Sequence, residues 1–202
     1  MIHVLPGMGA DHRMYPAPWQ TLPGSRFHDW PDHAGEASIT AVARRVIAEA
    51  GIADGDTLVG SSLGGIVACE IAGLRRLDRL FLLGSGKNRG EISGLLAALH
   101  PLASLAPIDF LRRAAGKIPH DLAAMFHDSD PAFIRVMCQA VFDWPGLDET
   151  RITPLRLHGR HDHVFPLPPG IDLVLEGGHV IATTHAVECV AFVQGQLAPA
   201  GA

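Results

Sequence analysis

The sequence of 202 residues predicts an α/β protein with a parallel sheet and helices on both of its faces. Short apolar runs recur along the chain, and segments with helical spacing separate several of them. A glycine- and serine-rich turn joins one run directly to a helix. This alternation of strands and helices favours a parallel sheet. The length suits a single domain, residues 1–202, with room for an insertion.

The candidate strands are short runs rich in apolar and β-branched side chains. The clearest lie at residues 2–5, 57–59, 79–83, 154–158 and 171–175, and a weaker run lies near 26–30. These runs supply the strands of the predicted sheet.

Two helices are predicted in the first half of the chain. The first has Ser38 as its N-cap and ends at Gly51, and its apolar residues share one face: Ile39, Val42, Val46 and Ile47. The second covers residues 66–77, where apolar side chains recur at helical spacing directly after the strand at 57–59.

The regular alternation stops between residues 87 and 150. No strand-like run occurs there, and five prolines separate helix-like pieces. We therefore predict that residues 87–150 are a helical insertion after a strand of the sheet, within the same domain.

Composition excludes several classes of function. The net charge is −5 and no dense run of Lys or Arg occurs, so neither nucleic acid nor an anionic membrane is an expected partner. The least charged window, residues 92–108, contains two prolines and is shorter than the roughly 20 residues that span a bilayer.

Three scattered cysteines in apolar surroundings suit reduced thiols, and the start of the chain leaves no room for a signal peptide. We therefore expect a cytoplasmic protein. The sequence gives no indication of its oligomeric state.

The turn at residues 60–64, Gly-Ser-Ser-Leu-Gly, fits the pattern G-x-S-x-G only with Ser62 in the serine position. A nucleophile at a tight strand-to-helix turn projects into solvent, and the residues two before and two after it must lack side chains. The N-terminus of the following helix favours negative charge at the same place. A serine hydroxyl still needs a base to become a nucleophile.

Two candidate partners follow in the chain. Asp162 comes just after the strand at 154–158, and His179 comes just after the strand at 171–175. Functional groups in open α/β sheets lie at the carboxyl ends of strands. The order Ser62, Asp162, His179 is the order of a serine, acid and histidine triad in a nucleophile-elbow enzyme.

Two other interpretations stay open. The segment 158–163 contains three histidines and Asp162, which are ligand types of zinc, but a metallo-β-lactamase pattern would need histidine at Arg160. His185, in what looks like the last helix, is the main competitor to His179.

Two glycine-rich turns fail as nucleotide-binding motifs. The segment 84–88 lacks the first glycine of a phosphate loop, at Phe81, and has Asn88 where Ser or Thr would bind magnesium. The pair Gly7 and Gly9 is followed by His12 where the dinucleotide motif has glycine.

Four pieces of sequence resemble the α/β-hydrolase superfamily in the same order along the chain. They are LPGMG at 5–9, GSSLGG at 60–65, HGRHD at 158–162 with a proline at 166, and GGH at 177–179. They span nearly the whole chain. As a set they are specific for the fold, and much less specific for a substrate.

The resemblance implies a fold and a site. It implies a trimmed three-layer α/β-hydrolase fold with about six parallel strands and residues 87–150 as a helical lid. Ser62, Asp162 and His179 would be the catalytic triad, and the backbone N–H groups of Met8 and Leu63 would form the oxyanion hole. Proline at position 6 replaces the histidine common in that loop. Apolar lid residues would line an acyl pocket, among them Leu95, Leu96, Leu99, Leu102, Leu105, Phe110, Leu111, Met125, Phe126, Phe133 and Met137.

The implied activity is that of a carboxylesterase-like serine hydrolase, which cleaves a carboxylic ester or thioester of a small molecule without a metal or organic cofactor. The same scaffold also supports acyl transfer, carbon–carbon bond hydrolysis and cyanohydrin lyase chemistry. A binding or receptor-like protein with little turnover is the alternative from a different class.

Overall fold

A computed structural model of the protein describes residues 1–92 and 120–198, which contain a six-stranded sheet with helices on both faces. The spatial order is β2-β1-β3-β4-β5-β6, and every neighbouring pair is parallel. The predicted fold class is confirmed. Each of the six predicted runs overlaps a strand, with ends that differ by up to three residues. The strands are Ile2–Leu5 (β1), Ser25–Phe27 (β2), Thr57–Ser61 (β3), Arg79–Leu83 (β4), Leu155–Gly159 (β5) and Leu173–Leu175 (β6).

Six α-helices lie within the described residues. None of them is long and apolar enough to cross a membrane. Short 3-10 helices occur at His12–Met14, Ala17–Thr21 and Arg89–Glu91. The α-helices are Ile39–Ala50 (α1), Leu63–Leu74 (α2), His120–Asp128 (α3), Pro131–Asp143 (α4), Ile181–Thr184 (α5) and Ala186–Leu197 (α6).

The ends of α1 match the prediction. The Ser38 hydroxyl accepts a hydrogen bond from the Ala41 N–H at 3.1 Å, and Gly51 ends the helix with φ 69°. Helix α2 begins three residues before the predicted window. It does so because the Ser62 carbonyl already accepts the N–H groups of Gly65 and Ile66, at 3.0 and 3.2 Å. The helix therefore starts directly after the predicted nucleophile.

Strand residues alternate between two apolar layers. Leu58, Leu80 and Leu82 pack with α1 and α2 on one face of the sheet. On the other face, Val59 and Phe81 pack with residues of α6. Burial of both faces explains why the central strands read as nearly continuous apolar runs.

The described parts of the predicted insertion, residues 87–92 and 120–150, contain helices and no strand. Met125, Phe133 and Met137 are buried, and Phe133 and Met137 pack in the same core as α1 and α2. That residues 87–150 act as a lid stays a prediction. The candidate pocket residues Leu95, Leu96, Leu99, Leu102, Leu105, Phe110 and Leu111 lie outside the described residues.

The three cysteines are free thiols. Cys69 and Cys189 are buried, and Cys138 on α4 is half-buried. Burial raises the pKa of the Cys138 thiol to about 11, which makes the thiolate needed for disulfide exchange a minor form near neutral pH.

Candidate active site

The residues singled out in the sequence follow different strands of one sheet. Met8 follows β1, Ser62 follows β3, Asp162 follows β5 and His179 follows β6. Because all the strands are parallel, their carboxyl ends lie along one edge. The topology therefore brings these distant segments to the same place.

Ser62 occupies a strained turn between β3 and α2. Its φ and ψ are 52° and −118°, and it is the one non-glycine residue with positive φ in the described part of the chain. A side chain at Gly60 would place its Cβ 2.5 Å from the Gly64 carbonyl carbon, and a Cβ at Gly64 would lie 2.5 Å from the Leu5 carbonyl oxygen. Both glycines are thus required for this backbone path.

The Ser62 hydroxyl, the His179 ring and the Asp162 carboxylate form a continuous chain of contacts. His179 Nε2 lies 2.9 Å from Ser62 Oγ, and His179 Nδ1 lies 2.9 Å from Asp162 Oδ2. A carboxylate only accepts hydrogen bonds, so Nδ1–H donates to it and Nε2 is left as the acceptor for the hydroxyl proton. The competitor His185 instead places its Nδ1 2.9 Å from the Thr184 hydroxyl.

The Asp162 carboxylate is buried, and both of its oxygens are engaged. Oδ1 accepts the N–H groups of Val164 and Phe165 at 2.8 and 3.0 Å, while Oδ2 faces His179. Burial acts to raise the pKa of this carboxyl. The charge and hydrogen bond of His179, with the Phe165 N–H, outweigh burial and hold the pKa below its usual value. Asp162 is therefore an acceptor at neutral pH.

His158 on β5 is a buried neighbour of the acid. Its Nε2–H donates to the Phe165 carbonyl at 2.7 Å and lies 3.4 Å from Asp162 Oδ2. Burial lowers the pKa of the His158 imidazole, which favours its neutral form. In the sequence this residue was a candidate zinc ligand and the first residue of the segment HGRHD, and it was given no role beside the acid. The structure shows that it ties the strand to the loop carrying the acid.

The potential zinc ligands of the segment 158–163 lie in different surroundings and contact different partners. His158 and Asp162 are buried, whereas His161 is exposed and lies 3.3 Å from Glu176. Within the described residues, the one group of potential ligand side chains that converge is Asp11, His12 and Asp29. Both oxygens of Asp11 accept hydrogen bonds from Arg13, so this exposed group is an ion-pair cluster.

The loop after β1 lies against the nucleophile. A Cβ at Gly7 would be 3.6 Å from Ser62 Cβ, and Gly9 turns the loop with φ 68°. Neither the Met8 N–H nor the Leu63 N–H has a hydrogen-bond acceptor in the part of the chain that the structure describes. Two such free N–H groups on segments that meet at Ser62 suit the binding of an oxyanion.

Ser85, which follows β4, is a contact of the turn that sequence reasoning missed. Its hydroxyl donates to the Ser62 carbonyl at 2.7 Å, and the side chain is buried. In the sequence the segment 84–88 appeared only as an incomplete phosphate loop. A Gly-Ser pair at the end of a strand adjacent to the elbow strand was the available signal.

Apolar groups border the loop after β1. The Phe126 ring on α3 covers Gly9, and Cys138 Sγ on α4 lies 3.7 Å from Met8 Sδ. The rings of Trp30 and Phe133 pack with centroids 5.4 Å apart. The side of the site next to this loop is thus suited to an apolar part of a ligand.

Structural comparisons agree with this architecture. The chain is similar to a hydrolase from Pseudomonas aeruginosa PA01, with a TM-score of 0.76 and 19% identity over 98% of this chain and 90% of that one. The chain has the α/β-hydrolase fold. A hydrolase from Oleispira antarctica (TM-score 0.74, 16% identity, 96% and 90% covered) and an esterase from Exiguobacterium antarcticum (TM-score 0.72, 18% identity, 97% and 91% covered) are also similar.

Sequence comparisons add nothing to this, since no family model matches the chain and no curated protein matches it. The sequence resemblance to α/β-hydrolases is confirmed as a resemblance of fold. Within the described residues this α/β-hydrolase sheet has six parallel strands, which agrees with the predicted trimmed form.

Proposed function

We propose that the protein is a serine hydrolase that cleaves a carboxylic ester or thioester through an acyl-enzyme on Ser62. The observation that supports this most is the contact chain from Ser62 Oγ to His179 Nε2 and from His179 Nδ1 to Asp162 Oδ2, each 2.9 Å long. Both distances lie within the range for proton transfer between a nucleophile, a base and the group that orients it.

In the acylation step, Ser62 Oγ attacks the acyl carbonyl carbon and its proton passes to His179 Nε2. Asp162 holds the ring in the tautomer that can accept this proton and stabilises the imidazolium. The carbonyl oxygen becomes an oxyanion that accepts the N–H groups of Met8 and Leu63. The carbon–oxygen or carbon–sulfur bond then breaks, and the leaving alcohol or thiol takes the proton from Nε2.

In the deacylation step, water replaces the leaving group. Nε2 accepts a proton from the water as its oxygen attacks the acyl carbon, and the bond from that carbon to Ser62 Oγ breaks. Ser62 Oγ regains the proton and the carboxylic acid leaves. Apart from the substrate and water, these steps use only groups of the chain.

Two further observations favour an acyl substrate. Structural neighbours with the same fold include hydrolases and an esterase. The apolar contacts next to Met8, from Phe126 and Cys138, place hydrocarbon surface beside the loop that would hold the acyl oxygen.

The test is reaction with an alkyl fluorophosphonate, followed by intact mass. Ser62 Oγ forms a bond to phosphorus and the phosphorus–fluorine bond breaks, so the mass rises by that of the probe less hydrogen fluoride. Wild type should gain one adduct and Ser62→Ala none. Ser61→Ala is the matched control, because this neighbouring serine is buried in β3 and should leave labelling intact.

Steady-state kinetics test the role of Ser62, and product analysis identifies the reaction. Ser62→Ala should lower kcat on p-nitrophenyl esters by about four to six orders of magnitude, because triad members act as a unit. Product analysis with an ester, an acyl thioester and a β-diketone separates hydrolysis from acyl transfer and carbon–carbon bond cleavage. A folded wild-type protein that gains no adduct would overturn the proposal in favour of a ligand-binding role.

A further inference from the structure

The two proposed oxyanion donors share a structural feature. A peptide unit is planar, so its N–H and its C=O point in opposite directions and turn together. The Leu63 N–H is in one plane with the Ser62 carbonyl, and the Met8 N–H is in one plane with the Gly7 carbonyl. A hydrogen bond to either carbonyl therefore sets the direction of the N–H on the other side of its peptide.

Each of these carbonyls accepts a hydrogen bond from a side chain of another segment. The Ser85 hydroxyl donates to the Ser62 oxygen at 2.7 Å, and the Trp30 indole Nε1–H donates to the Gly7 oxygen at 2.9 Å. The Ser62 oxygen also accepts the backbone N–H groups of Gly65 and Ile66, and the Gly7 oxygen accepts that of Ala10. The side-chain bonds are thus additional to those that form the turns.

Ser85 is held firmly in this position. Its side chain is buried, and the absence of a side chain at Gly65 makes room for it, because a Cβ there would lie 2.6 Å from Ser85 Cβ. Arg156 Nη2 lies 3.5 Å from the Ser85 carbonyl, and the same guanidinium forms a two-point ion pair with Glu91. These contacts hold the Ser85 backbone in place, so its hydroxyl stays within hydrogen-bond distance of the Ser62 oxygen.

Trp30 is held by its ring. It stacks at a tilt against Phe133 of α4, with centroids 5.4 Å apart, and packs against the apolar core. The indole N–H is a donor only, so the Gly7 carbonyl is the partner that satisfies it.

We propose that Ser85 and Trp30 are positioning residues of the oxyanion hole, each anchoring by its carbonyl the peptide whose N–H binds the oxyanion. A hydrogen bond at a carbonyl also polarises the peptide, which strengthens the N–H as a donor. The proposal rests on the function proposed above. It assigns a use to two residues outside the triad.

The test compares Ser85→Ala, Trp30→Phe and the double variant. Each change removes a donor and keeps most of the packing, and the backbone bonds to both carbonyls remain. Kinetics on a p-nitrophenyl ester are measured beside the Ki of an alkyl trifluoromethyl ketone. Ser62 Oγ adds to the carbon of this ketone, its proton passes to His179, and the ketone oxygen becomes an oxyanion in the hole.

Loss of a whole oxyanion donor costs about 10²–10³ in kcat, so poorer orientation of one donor should cost about tenfold. Each single variant should therefore lower kcat about tenfold and leave KM unchanged. The Ki of the trifluoromethyl ketone should rise by the same factor. The double variant should lose about a hundredfold if the two donors act independently.

Tyr15→Phe is the matched control. The Tyr15 hydroxyl donates to the Leu5 carbonyl at 2.6 Å in a buried site, but the same peptide ends at Pro6, which has no N–H. This variant loses that bond and the contact of the hydroxyl with the Ser61 backbone, but it removes no hydrogen bond from either donor peptide. It should therefore keep the wild-type kcat and Ki. Thermal unfolding of all variants shows whether each is folded at the assay temperature.

The outcomes separate the two proposals. If wild type labels with fluorophosphonate at Ser62 but Ser85→Ala and Trp30→Phe match wild type, or lose no more than Tyr15→Phe, the positioning roles are wrong and the serine hydrolase stands. If wild type neither labels nor binds the ketone, the proposed function fails and the positioning roles fail with it.

Discussion

Two histidine–carboxylate pairs, one at each edge of the sheet, differ in what meets the second ring nitrogen. At the carboxyl edge, His179 pairs with Asp162 and its other nitrogen faces Ser62 Oγ. Near the opposite edge, His3 of β1 lies 3.2 Å from Asp56, which precedes β3. The other nitrogen of His3 faces His28 Nε2 at 2.9 Å.

The surroundings of the second pair suit structure rather than reaction. Asp56 also accepts the N-terminal ammonium group and the Ala53 N–H, each at 2.8 Å, and the rings of His3 and His28 stack 5.1 Å apart. In the part of the chain that the structure describes, His28 and no hydroxyl faces the second nitrogen of His3. Under the proposed function, a histidine bound to a carboxylate is insufficient for catalysis, and a hydroxyl at the free nitrogen makes the difference.

Substitution of the two carboxylates should give the largest contrast. In Asp162→Asn the side-chain oxygen can still accept the Val164 and Phe165 N–H groups, which places the NH2 group toward His179 Nδ1. That nitrogen must then be an acceptor, so the ring proton moves to Nε2 and the base is lost. We expect kcat on an ester to fall about 10⁴-fold.

Asp56→Asn makes the same chemical change in the other pair and should leave kcat within about twofold of wild type, because it is remote from the reacting atoms. Steady-state kinetics on both variants test the contrast. An Asp56→Asn enzyme as impaired as Asp162→Asn would show that the two pairs are equivalent in function.

Sequence reasoning could predict those features that depend on neighbours along the chain. Strand runs, the caps Ser38 and Gly51, and the turn around Ser62 are local signals. The caps and the turn are found where the pattern predicted them, and each strand overlaps its predicted run. The order of Ser62, Asp162 and His179 after strands was also visible. Parallel pairing then brings their side chains within hydrogen-bond distance.

The contacts that sequence reasoning missed depend on neighbours across the sheet. Ser85 reaches the Ser62 carbonyl because β3 pairs with β4, and Trp30 reaches Gly7 because β2 pairs with β1. His158 reaches the Asp162 loop because that loop folds back over β5. No local spacing in the sequence encodes these pairings. The triad residues could therefore be predicted, whereas the residues that hold them and their loops in place could not.

Glycine substitutions within α2 sharpen the contrast, because an added Cβ would be crowded at Gly65, near the Ser62 turn, and would meet nothing at Gly73. In Gly65→Ala the new methyl group would press on Ser85, so the hydroxyl must leave the Ser62 carbonyl. We expect kcat to fall about tenfold by the reasoning applied to oxyanion donors. Crowding should also lower the free energy of unfolding by about 1–3 kcal/mol.

Gly73→Ala is the control on the same helix. A Cβ there meets nothing within 4 Å, so the change should raise the free energy of unfolding by about 0.5–1 kcal/mol and leave kcat unchanged. Urea denaturation and ester kinetics measure both effects. Equal losses in the two alanine variants would mean that helix composition, and not contact with Ser85, governs the result.

His3 and His28, which lie beside Asp56, should contribute to the pH dependence of the free energy of unfolding. Burial lowers the pKa of the His28 imidazole to about 4, with the charges of His3 and Arg26 acting in the same direction and Asp29 opposing them. Burial also lowers the pKa of His3, against the opposing effect of Asp56. Both rings bind protons less readily in the folded chain than in the unfolded chain.

Between about pH 6.5 and 4 the unfolded chain therefore binds more protons, so the free energy of unfolding falls as the pH falls through this window. His28→Gln keeps a donor for His3 but does not titrate, and it should flatten that dependence, as measured by urea denaturation at a series of pH values. His127→Gln is the control, since this ring on α3 is exposed, and it should keep the wild-type slope. If the free energy of unfolding of His28→Gln depends on pH as in wild type, the pH sensitivity comes from groups other than His3 and His28. Ester kinetics of the same variant at neutral pH should match wild type, because this pair presents no nucleophile.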